Sequence, residues 1–163
     1  MSTTSFVISP EDLLKHWQGH RSLTRRVIEA IPDDKLFTYS IGGMRPFAQM
    51  AIELLGMGVP SLNGIINRKW EKMEEIAIYK KENQPTTKEA LLEIWDKNTE
   101  DINNLWPKIE ANRFQDIEVA FGMWEGPVYW LLFYNIDNEI HHRAQGYVYL
   151  RSLGIEPPPF WER

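Results

Sequence analysis

The sequence predicts an all-α protein, an up-down four-helix bundle forming one domain over residues 1–163, and three observations predict it. Four long stretches repeat apolar residues every three or four positions, as helices with a buried face require. Prolines and glycines punctuate the gaps between those stretches. No segment alternates apolar and polar residues long enough to make a convincing strand. A chain of 163 residues has the usual size of one core, and two cores would leave each half too small.

The first helix opens at Ser9-Pro10-Glu11-Asp12, with a capping serine, a proline at the first helical position and acids in the first turn. It ends near Ala30, before Pro32. Leu13, Trp17, Leu23, Thr24, Val27, Ile28 and Ile31 gather on one side of it. Pro32 to Met44 reads as a loop holding at most a short helical turn. A second helix starts around Arg45-Pro46 and runs through Met50, Ala51, Leu54 and Leu55 to Gly56-Met57-Gly58. Pro60 allows a fresh start, with Ile65, Ile66 and Trp70 continuing toward the charged stretch Glu71 to Gln84. Thr86 and Glu89 have capping-box spacing and open a third helix, which carries Leu91, Trp95, Ile102, Leu105 and Trp106 until Pro107 stops it. Pro107 to Pro127 is irregular, with room for a short extended piece. The fourth helix runs from about Pro127 to Leu153, with Gly154 as its stop. It is apolar nearly all round, so it is central or covered on two sides.

Composition narrows the chemistry. Zero cysteines remove disulfides, thiolate metal sites and cysteine nucleophiles, so any metal must use nitrogen and oxygen ligands. With 18 basic against 23 acidic residues the net charge is −5, which argues against a nucleic-acid partner held by its phosphates. No apolar run approaches the ~18 residues of a membrane span, and Met1 to Pro10 lacks a leader-peptide pattern, so the default address is cytoplasmic. Seven Trp, seven Phe and six Tyr, together with the all-round apolar last helix, point to a patch covered by a second copy of the chain, hence a homodimer.

Candidate site residues stand out against that background. Asn138, His142, Gln145 and Tyr149 fall within about 60° of one another on the last helix, either a solvated or internally bonded face or one wall of a binding cleft. Asn138 and His142 are one turn apart, as two ligands of one metal ion are. His141 lies ~100° away and is better placed to orient a neighbour. Arg143 reads as a surface arginine ahead of one that pairs with an acid or terminates the cleft electrostatically. Glu53 recurs with Arg45 and Gln49 at a spacing of four, so a solvated stripe explains all three without a site. His16 and His20 also have ligand spacing, and two imidazoles outrank an imidazole and an amide as a metal pair. A histidine packed in the core explains His20 as well.

The string Asn138-Glu139-Ile140-His141-His142-Arg143-Ala144-Gln145, followed by Tyr147-Val148-Tyr149-Leu150-Arg151 and Leu153-Gly154-Ile155-Glu156-Pro157-Pro158, resembles the C-terminal signature of the DinB-like (damage-inducible) bacterial proteins. Met44-Arg45-Pro46-Phe47 leading to Glu53-Leu54-Leu55-Gly56 is similar to their second-helix motif. The resemblance implies a four-helix bundle with an unusual connection order, often dimeric. Its cleft holds a divalent metal on three histidines, one from the second helix and two from the last. Relatives include transferases and isomerases that use low-molecular-weight thiols. Carried over by position, the three ligands fall on Glu53, Asn138 and His142, of which only one is histidine. Glutamate suits Zn, Ni, Fe or Mn, whereas a neutral amide is a weak ligand, so lower affinity than a three-histidine site, or none, is expected.

Two functions follow as expectations. One is a metal-dependent, thiol-linked transferase or hydrolase acting on a small molecule, its metal lowering the pKa of a bound water or thiolate. The other is a non-catalytic, stress-related dimeric binding protein with a degenerate metal site. A third arrangement puts the metal on His16 and His20.

Overall fold

Ser9 accepts a hydrogen bond from the Asp12 N–H at 3.0 Å and starts α1 (Pro10–Ala30). The structure, a computed structural model, describes residues 7–163, so Met1 to Phe6 of the expected leaderless start lie outside the described residues. A single turn, α2 (Asp33–Leu36), follows Pro32. The next long helix, α3 (Phe47–Asn67), starts straight after Pro46 and passes through Pro60 without a break. The expected restart does not occur. Pro60 removes one N–H from the ladder, but Leu54, Leu55, Leu62 and Ile65 on either side are buried, and that packing holds one continuous helix.

After Asn67, Arg68 adopts a left-handed conformation (φ 55°) and ends α3. The expected helix continues through Ile65, Ile66 and Trp70 toward the charged stretch Glu71 to Gln84. Instead, residues 73–83 make three separate 3-10 turns, Met73–Glu75, Ala77–Tyr79 and Lys81–Asn83. The charges from Glu71 to Glu82 leave no apolar stripe to bury, and Ile76 alone is fully buried as an anchor. The next helix, α4 (Lys88–Leu105), is capped by Thr87, which accepts from the Ala90 N–H at 3.2 Å; the cap lies one residue beyond Thr86. The irregular stretch contains a hairpin, β1 (Ile117–Ala120) paired antiparallel with β2 (Trp124–Pro127), joined by Phe121-Gly122-Met123 with Phe121 and Gly122 both at positive φ. Arg113 ties the hairpin to α3, donating to the Ile65 carbonyl at 2.7 Å and pairing with Glu118. The last helix, α5 (Val128–Ser152), ends where Gly154 turns left-handed, with the Ile155 N–H donating back to the Leu150 carbonyl at 2.9 Å.

α1 packs against α4 and α5, and so does α3, which places α1 and α3 across the diagonal from one another. A simple up-down order, each helix beside the next, is therefore corrected: residues 31–46 carry the chain across the bundle. Apolar side chains form two main clusters. One contains Val27, Phe47, Met50, Leu91, Trp95 and Leu150; the other contains Leu13, Leu62, Ile65, Ile102, Trp106 and Leu132.

A buried ionic layer lies between the two clusters along α1 and α5. Glu139 accepts from Thr24 Oγ1 at 2.7 Å and Trp17 Nε1 at 3.3 Å, and Arg21 lies 3.7 Å away. The Arg21 guanidinium stacks 4.0 Å over the Trp95 ring and donates to Thr99 Oγ1 at 2.7 Å. Burial pushes the Glu139 carboxyl up and the Arg21 guanidinium down. Among the described residues no helix is long and apolar enough to cross a membrane.

Candidate functional site: a charged cleft between two helices

The polar stripe of α5 faces the N-terminal half of α3. His142 Nε2 lies 3.0 Å from Glu53 Oε1, and Asn138 Nδ2 donates to the same oxygen at 3.3 Å. The other carboxylate oxygen, Oε2, is held by Arg45 Nη2 at 2.7 Å. Gln145 Oε1 is 3.5 Å from His142 Nδ1, and its amide nitrogen donates to His141 Nε2 at 2.9 Å. Tyr149 completes the stripe by donating its hydroxyl to the Arg45 carbonyl at 2.7 Å. Residues 85 and 89 positions apart are thus brought together.

Electrostatics follow from that geometry. The hydrogen bond from His142, reinforced by those of Arg45 and Asn138, holds the Glu53 carboxyl down to about 2 against the opposing effect of burial. An ionised carboxylate only accepts, so the imidazole must donate, and its Nε2 carries the hydrogen. Tyr79 reaches in from the 71–84 segment, donating to the Glu53 backbone carbonyl at 3.0 Å; burial, then the nearby carboxylate, pushes its hydroxyl up.

Glu53 also opens onto a cleft of about 470 Å³, bordered by Arg45, Gln49, Met73, Gln84, Trp124 and Tyr134 among others. A small apolar recess adjoins it and shares Met57, Trp124 and Tyr134 as lining.

The three residues marked by the resemblance therefore converge, but their donor set does not fit the implied metal. A divalent ion needs lone pairs aimed at a common point. Here His142 presents a hydrogen, Asn138 presents its amide NH₂, and both aim at a carboxylate whose second oxygen already holds a permanent cation. Among the described residues no group of three His, Cys, Asp or Glu is placed to hold a metal ion.

The competing pair, His16 and His20, is engaged with itself and with Arg143. His16 and His20 approach through their Nε2 atoms at 3.2 Å, and Arg143 Nη2 lies 3.0 Å from His20 Nδ1. A guanidinium only donates, so it takes the Nδ1 lone pair and leaves the ring hydrogen on Nε2, directed at His16. Exposed Arg163 also approaches Nε2 at 3.2 Å, but it can turn to water, whereas Arg143 is buried. Burial, aided by Arg143, pushes His20 down to about 3, so the ring is neutral. Arg143 is not the surface residue expected. It is buried and also donates to the His20 carbonyl at 3.3 Å.

Sequence reasoning passed over three residues. Arg45 was legible only as one member of a solvated stripe. Glu139 carried a signal, an acid on an apolar helix one turn before an arginine. Tyr79 carried none, because its approach depends on residues 73–83 leaving the helix.

The comparisons agree with this architecture. A DinB-like protein from Bacillus cereus has a crystal structure similar to this one, with a TM-score of 0.71 at 19% identity, covering 91% of this chain and 95% of that one. A DinB-like protein from Bacillus subtilis is equally similar, with a TM-score of 0.71 at 20% identity over 93% and 97% of the two chains. No match is found among curated proteins. The pattern that describes the DinB family matches residues 1–163, the whole length over which the helices, their diagonal connection and the α3–α5 cleft are built, and the chain belongs to that family.

Proposed function

We propose that this protein is a small-molecule-binding member of the family whose cleft works through the Arg45–Glu53–His142 cluster in place of a resident metal. One observation carries the reading: the Arg45 guanidinium sits 2.7 Å from Glu53 Oε2, where it supplies the positive charge that a metal would otherwise bring. The chemistry of the cluster favours binding over catalysis. A carboxyl held down to about 2 is a poor proton acceptor at neutral pH, His142 is engaged as a donor, and the chain has no cysteine to serve as a nucleophile.

The metal-dependent alternative, a thiol-linked transferase or hydrolase, is supported by the convergence of Glu53, Asn138 and His142, and one experiment decides between the two. Protein purified without chelators or affinity tags is assayed for metal and melted with and without Zn²⁺ or Ni²⁺. The expected result is far less than one metal per chain and an unmoved Tm. The double variant Arg45→Met, Asn138→His should acquire a Zn²⁺-dependent rise, since a ligand at a hundred times its Kd stabilises the native state by about 2.7 kcal/mol. Near-stoichiometric metal in the wild type, lost in Glu53→Gln with His142→Ala, overturns the proposal.

In the same reading the protein is a homodimer. Tyr129, Trp130, Phe133 and Val148 are exposed and fall on one outer stripe of α5 by the ~100° rule, a face suited to a second copy.

A further inference from the structure

We propose that the cleft takes a small organic monocarboxylate, its carboxylate on Arg45 and a flat apolar body against Met57, Trp124 and Tyr134. The inference rests on the reading of the cleft as metal-free.

The polar end has donors to spare. Glu53 Oε1 already receives His142 and Asn138, and Oε2 receives one nitrogen of Arg45. A guanidinium carries five N–H donors in a planar fork. With its side chain 48% exposed, Arg45 keeps an edge for the cleft. What that edge lacks is an acceptor. A second carboxylate would complete a bridge in which one guanidinium serves two acids, a planar two-point recognition that a lysine could not provide.

The same end is preorganised. Tyr149 holds the Arg45 carbonyl at 2.7 Å, Pro46 (φ −54°) restricts the backbone that follows, and Glu53 fixes the head group. Little side-chain freedom remains to be lost on binding.

Charge selects a monoanion. Arg45 and Glu53 cancel, so a doubly charged phosphate would face an acid with only one guanidinium to offset it. Size and surface select the body. The cleft, about 470 Å³, lies within the range of small-ligand sites, roughly 300–1,000 Å³. Trp124 and Tyr134 supply aromatic rings to the lining, and Met57 supplies a pliable wall. Behind them the recess, about 30 Å³, has room only for a group of about methyl size. A single ring, or a short branched chain, fits within the cleft against that wall, with at most a methyl-sized group entering the recess.

The test uses benzoate, its neutral isostere benzamide and inorganic phosphate, each titrated by NMR into the full-length protein, with EDTA and separately with Zn²⁺. Benzoate should bind about tenfold or more tightly than benzamide, as a charge-assisted pair implies, and phosphate should not displace it. Arg45→Gln should abolish the preference, and Arg45→Lys, which keeps the charge without the fork, should retain only part of it. Trp124→Ala should weaken benzoate and benzamide alike. If Arg45→Gln does not fold, Arg45→Lys decides the polar end, and an unchanged preference in it sinks the planar-fork assignment. Equal affinity for benzoate and benzamide, or no binding of benzoate in either buffer, overturns the ligand class and leaves the metal-free reading intact. Benzoate binding that requires Zn²⁺ overturns the metal-free reading itself.

Discussion

Glu53 illustrates how much one side chain can be asked to hold. Its two oxygens receive three donors, which keep it ionised far below the range in which glutamates usually titrate. A carboxyl depressed in the folded state contributes stability above its unfolded pKa, about 4.3, and loses it as pH falls toward the folded value. Urea unfolding followed through a pH series should therefore show stability declining between about pH 5 and pH 2, and Glu53→Gln should flatten part of that decline. An identical slope in the variant would mean that other carboxylates account for it. At this scale the sequence was informative where a residue's own helix supplied the signal: Asn138, His142, Gln145 and Tyr149 could be placed on one stripe from their spacing alone. It was uninformative where the partner lay on another helix. Arg143 and Arg45 both look like solvated charges until the His20 ring and the Glu53 carboxylate are brought to them by the fold.

Helix starts and stops with local chemical causes were legible, namely Ser9 with Pro10 and Gly154 with its left-handed turn. Pro60 and residues 73–83 were not, because packing outweighs one missing hydrogen bond in the first case and the lack of a buried face outweighs local propensity in the second. Gly56 is where those two elements meet. A Cβ there would overlap the Tyr79 ring, so the glycine admits the ring whose hydroxyl reaches the Glu53 carbonyl. Alanine suits a helix better than glycine by roughly 0.5–1 kcal/mol, yet overpacking costs about 1–3 kcal/mol, and the ring must move. Gly56→Ala should lower stability on balance, with a change in near-ultraviolet circular dichroism as Tyr79 is displaced. A stabilised variant with an unaltered aromatic signal would contradict this contact.

For the whole molecule, the all-α class was legible from periodicity, whereas an unusual connection order was implied only by the family resemblance, since neither α1 nor α3 records in its own pattern which two neighbours it will meet. The outer stripe of α5 raises the question of assembly. Sedimentation equilibrium at micromolar concentration should give twice the chain mass, and Phe133→Asp should return a monomer of unchanged helicity; a monomeric wild type would refute the proposed dimer. The layer of Glu139, Arg21, Thr24 and Trp17 has a different bearing. Were α5 to slide along its neighbours by one turn, about 5.4 Å, the carboxylate would no longer reach Thr24, Trp17 and Arg21 together, whereas the apolar contacts on either side could largely re-form one step along. The layer therefore acts as an index mark that gives the bundle a single axial alignment, and helices exchanged between relatives would seat properly only if the matching half of that mark travels with them.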